Sequence, residues 1–114
     1  MLTTERLSAA QYQEALRRAV RFREVPPIGD PLAVALERIE RNPAFSQSRL
    51  LTRLLVALTY REGEFRRAEI AGLDGATYAL SIGLMDAFGK GAKPLADWER
   101  AVEAARAAEL GAGA

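Results

Sequence analysis

A chain of 114 residues has the length of one domain and can bury a core without disulfide or metal staples. Apolar residues make up 49% and charged residues 27%, the balance of an ordinary globular protein, with a net charge of +1. The lack of cysteine excludes disulfides, thiol nucleophiles and thiolate metal sites, and the lack of histidine removes the usual neutral-pH base and the commonest transition-metal ligand.

The opening residues Met1 to Arg6 hold no apolar run of the secretory type, and Leu50 to Tyr60 is too short to span a bilayer and is broken by Arg53. A cytoplasmic protein without membrane contact is expected. The first helix is predicted from about Ser8 to Arg23, with Ser8 and Gln11 spaced as a capping box. Ala9, Tyr12, Ala15, Leu16, Ala19, Val20 and Phe22 form its inner face, and Gln13, Glu14, Arg17, Arg18 and Arg21 its outer one. The breaker Val25-Pro26-Pro27-Ile28-Gly29 ends it.

Asp30 and Pro31 restart a helix as N-cap and first helical residue, and Asn42-Pro43 stops it. A third helix is predicted from Ser46 or Ser48 to Glu62, closed by Gly63; its leucine arc (Leu50, Leu51, Leu54, Leu55, Leu58) marks a central core helix. The segment 63–66 is the single place for a short extended piece. Short and long helices follow at 67–71 and 75–88, and a last helix at 94–110 turns Leu95, Trp98, Ala101, Val102 and Ala105 inward. The expected fold is all-α, a compact bundle of five to six helices with little or no strand. It is read as a single helical domain over 1–110 with a flexible tail over 111–114.

Catalysis would have to rest on carboxylates alone. Most sit at caps or on exposed faces; Asp86, inside an apolar helix, is expected to pair with an arginine or reach solvent. Gly89-Lys90-Gly91-Ala92-Lys93 lacks phosphate-loop spacing, and Pro94 stands where a Ser or Thr is needed. No catalytic residue, metal ligand or cofactor site is assigned, and an enzyme is not expected.

Ala68-Glu69-Ile70-Ala71, the turn Gly72-Leu73-Asp74 and the helix from Ala76 resemble the helix-turn-helix core of bacterial winged-helix regulators. Such a resemblance implies DNA binding. Thr77, Tyr78 and Ser81 would then touch bases, and Arg49, Arg53, Arg66 and Arg67 would supply phosphate contacts. Yet residues 75–88 contain no Arg, Lys, Asn or Gln, and their apolar side chains spread around the whole helix. A helix of that kind is either buried or part of an interface. An open edge through Leu84, Met85 and Phe88 would fit a partner protein, a homodimer being the simplest case.

Charge is unevenly placed. Residues 46–67 carry five arginines against Glu62 and Glu64, a local +3, while residues 68–86 carry Glu69, Asp74 and Asp86 with no base, a local −3. On the third helix Arg49, Arg53, Val56 and Tyr60 share the face opposite the leucines, an arginine-aromatic composition typical of binding hot spots. An acidic or nucleic-acid-coated partner would suit it.

Gln47-Ser48-Arg49, Leu54-Leu55, Leu73-Asp74 and Leu84-Met85 resemble segments of small uncharacterised helical proteins carried by plasmids, integrative elements and phages, over about half the chain. The preference for arginine (fourteen) over lysine (two) agrees with a GC-rich bacterial or phage source. What this resemblance implies is an accessory or inhibitory protein that acts by binding a host complex, an anti-CRISPR being one example. The expected function is therefore non-enzymatic protein binding, with a helix-turn-helix DNA-binding regulator as the alternative.

Overall fold

The computed structural model describes residues 6–19 and 28–113. Among them six helices and one small sheet form a compact all-α bundle: β1 (Arg6–Ser8), α1 (Ala9–Ala19), α2 (Pro31–Arg41), α3 (Ser46–Tyr60), β2 (Glu64–Arg66), α4 (Arg67–Ala71), α5 (Gly75–Gly89) and α6 (Leu95–Gly113). The expected last turn of the first helix, with Val20 and Phe22, and the breaker at 25–27 lie outside the described residues.

Local chemistry sets several helix ends. The Ser8 amide donates to Gln11 Oε1 at 2.9 Å and the Gln11 amide to Ser8 Oγ at 3.2 Å, a reciprocal capping box at the start of α1. Asp30 accepts from the Ala33 amide and Asp74 from the Thr77 amide, each satisfying an orphan donor of a first turn, worth about 1 kcal/mol. The end of α3 departs from the sequence reading. The helix stops at Tyr60, and Arg61 rather than Gly63 takes the left-handed cap conformation (φ 57°). Gly63, at φ 128°, then turns the chain into β2. Extended structure at 64–66 finds a partner the sequence did not signal: β1 pairs antiparallel with β2, Leu7 opposite Phe65. The last helix also outruns its glycines, so the tail expected from 111 onward is helical as far as Gly113.

The core forms around α3 and α5. Helix α3 packs against α1, α2, α5 and α6, and α5 packs against α1, α2 and α3. Phe88 of α5 meets Trp98 of α6 edge to face, with ring centroids 5.1 Å apart. A Cβ at Gly83 would lie 3.1 Å from the Pro31 ring, so the glycine lets the start of α2 press onto α5. Arg17 and Asp86 pair at 2.7 Å, tying α1 to α5; this is the arginine partner expected for Asp86. No described helix is long and apolar enough to cross a membrane.

Candidate protein-binding face

The helix that resembled a DNA reader lies in the core. Thr77 is wholly buried, and Tyr78 and Ser81 are 2% exposed. Their polar atoms are spent inward. The Tyr78 hydroxyl donates to the Leu16 carbonyl at 3.1 Å, the Ser81 hydroxyl to the Thr77 carbonyl at 2.8 Å, and Thr77 Oγ1 accepts from Arg38 at 2.9 Å. None of the three can reach a base edge. The turn itself is held by Gln47 of α3, which donates to the Gly72 carbonyl and accepts from the Asp74 amide. The helix-turn-helix spacing thus serves to seat α5 on α3.

The expected open edge on α5 is closed at two of its three residues. Leu84 and Met85 are buried, and Phe88, half-buried, rests on Trp98. A helix apolar on every side can remain in water only if its neighbours cover it, and α1, α2 and α3 do so. Leu84 and Met85 are therefore core residues and cannot form the partner edge expected of them.

The outer stripe of α3 divides into two kinds of residue. Arg49 is exposed and has no ion-pair partner among the described residues. Tyr60 is 43% exposed. Arg53 is committed to the fold: it grips the Glu69 carboxylate with both terminal nitrogens (2.6 and 3.1 Å), donates to the Glu64 carbonyl and lies over the Phe65 ring at 4.7 Å. Val56 is half-buried against the core. These two members of the predicted face are engaged within the fold while remaining partly exposed.

Glu69 shows what Arg53 does. Burial disfavours its charged form, but hydrogen bonds from Arg53 and the Arg66 amide, with the charges of both arginines, outweigh burial and hold the carboxyl below its ordinary value. Arg53 on the Glu64 carbonyl and Glu69 on the Arg66 amide (2.7 Å) also occupy backbone groups of β2 that an added strand would need. Arg66 and Arg67 are exposed at this end of the molecule, on β2 and α4, and extend the basic surface. Beneath them Tyr12 stacks on Phe65 with centroids 4.0 Å apart; burial raises the Tyr12 hydroxyl above its usual range.

Exposed apolar residues depart from the expected pattern: Leu95, expected to face inward, is 54% exposed in the first turn of α6, where it lies outside the core, and Leu110 is 76% exposed near the end of that helix. Phe45 is 48% exposed at the start of α3, and Val34 is 42% exposed on α2. Phe45 lies one turn before Arg49, whose amide donates to the Phe45 carbonyl at 3.1 Å. The residue sat between a proline break and a helix start, where no periodicity was available to reveal it. Among the described residues no group of three or more acidic side chains converges to hold a metal ion.

Compared with known proteins, the chain matches no family model, no curated protein and no solved structure.

Proposed function

We propose that the protein is a non-enzymatic binding module whose recognition surface is the outer side of α3, extended by β2 and α4, and whose partner is a protein with an acidic surface. The observation that carries this reading is the pairing of an uncommitted Arg49 with an exposed Tyr60 on one side of a helix whose other side is core. They lie eleven residues apart, about 16 Å along the axis at ~1.5 Å per residue. Arginine and tyrosine are the side chains that most often anchor interfaces, because each offers large contact area and a polar end. The local excess of arginine over 46–67 favours an acidic partner and speeds encounter with it. The accessory or inhibitory role implied by the sequence resemblance, including action on a host defence complex, would use this face.

The test is affinity capture from a bacterial lysate treated with nuclease, run side by side with wild type and an Arg49→Ala/Tyr60→Ala variant. A protein retained by wild type and depleted at least about tenfold by the variant supports the reading, since two anchors of this kind are each worth on the order of 1–2 kcal/mol. Equal recovery by both proteins contradicts it. Recovery that vanishes with nuclease, together with a salt-dependent mobility shift on random duplex, would replace it with binding to the nucleic-acid backbone.

A further inference from the structure

Phe45 occupies the N-cap of α3, with extended backbone (φ −68°, ψ 133°) and no side-chain bond to the first turn. Ser, Thr, Asp or Asn at that position would satisfy an orphan amide, so phenylalanine there forgoes a stabilising contact. Its ring is also half in water, where it contributes little to the core. A residue that breaks a local rule without a gain in folding marks a place where the chain serves something else.

The ring does not stand alone. Phe45 and Val34 line one cleft between α2, the α2–α3 turn and the start of α5, with a volume of about 360 Å³. That is near the small end of the ~300–1,000 Å³ range of ligand pockets and has room for a large apolar side chain. One wall is fixed: Arg38 donates to Thr77 Oγ1 at 2.9 Å and lies 3.9 Å from Asp74, so its guanidinium is already oriented. The acidic groups of the cleft are spoken for. Asp74 caps α5 and faces Arg38, and Glu37 is paired with Arg41. Arg49, exposed one turn along α3 from Phe45 and just beyond the residues that line the cleft, has no ion-pair partner among the described residues. The cleft therefore sets two exposed apolar side chains, Phe45 and Val34, among charges that are already paired, with an unpaired arginine one helical turn away on α3.

We infer that this cleft takes a large apolar side chain from an acidic peptide segment of the partner protein, with a carboxylate of that segment on Arg49. The inference rests on the protein-binding reading above and names where the anchor of that interface enters.

Panning the full chain against a displayed library of random dodecapeptides tests it. Enriched peptides should share one large apolar residue beside Asp or Glu. Synthetic copies should lose at least about tenfold in affinity on Phe45→Ser or Val34→Glu, and more weakly on Arg49→Ala, the last loss shrinking in high salt. Phe45→Ser restores a favoured cap, so its Tm should not fall, which separates lost binding from lost folding. The inference is overturned if no peptide enriches, if the enriched peptides lack the apolar-acidic pattern, or if they bind Phe45→Ser as they bind wild type. Peptides lost on Arg49→Ala/Tyr60→Ala but indifferent to Phe45→Ser remove the cleft and leave the α3 face standing. Peptides lost on Phe45→Ser but indifferent to Tyr60→Ala support the cleft and count against the longer face.

Discussion

Arg61 carries the one positive φ among the described non-glycine residues, and it does so at the exposed end of α3. The left-handed region costs an L-residue with a Cβ about 1 kcal/mol, and glycine escapes that cost. Arg61→Gly should therefore raise stability by about 1 kcal/mol and Tm by roughly 4 °C, read by thermal unfolding. Glu69 gives a second expectation, with a definite sign. Its carboxyl is held lower in the folded chain than in the unfolded one, so the stability it contributes is present above the ordinary glutamate value of 4.5 and is lost as pH falls below it. Urea midpoints measured between pH 6 and pH 3.5 should drop less for Glu69→Gln than for wild type. A residual slope should remain, because Asp30 and Asp74 are lowered as well, Asp30 chiefly by the Ala33 amide and Asp74, against its burial, by Thr77 and Arg38.

Residues also show where sequence reading reaches its limit. The caps at Ser8, Asp30 and Asp74 were legible because each bond spans three residues of chain. The roles of Arg53 and Gln47 were not, because their partners lie 11 or more residues away and no local pattern records them. Arg53 has the place of a docking residue on the face opposite the leucines for the same reason that it makes a good tie: it projects outward beside an acidic helix start. Phe45 was hidden by the opposite cause, a position governed by cap chemistry that its own side chain does not follow.

At the scale of elements, apolar periodicity gave α2 and α3 nearly whole, since an inward stripe on a helix is a direct imprint of burial. The pair β1–β2 was only half visible. Three residues are too few for alternation to show, and β2 was suggested only by the absence of anything else. Helix α5 was the ambiguous element. Its spacing matched a DNA-reading motif and its all-round apolar surface matched a core helix; Thr77, Tyr78 and Ser81 are buried, so these three side chains belong to the core. Its role as core leads to a clear expectation for Leu84, which is fully buried. Leu84→Ala should destabilise the fold by about 3 kcal/mol, measured by denaturant titration, through lost transfer energy and the cavity left behind. A loss under about 1 kcal/mol would mean that α5 has a face the rest of the chain does not cover.

At the scale of the whole molecule, the radius of gyration of 13.3 Å equals the value of about 13 Å expected for a compact domain of this length. A single core is built on α3 and α5, and the proposed binding role falls to exposed residues outside it: Arg49 and Tyr60 on α3, Arg66 and Arg67 beyond, and Phe45 with Val34 at the near end. That division of labour depends on α5 belonging wholly to the interior. Native-state hydrogen exchange of the chain alone tests it most directly. The amides of 77–85 should exchange only through global unfolding and fall in the slowest class, together with the leucine arc of α3. Exchange of those amides at rates close to the exposed loops, while α3 stays protected, would contradict the account and return α5 to the surface.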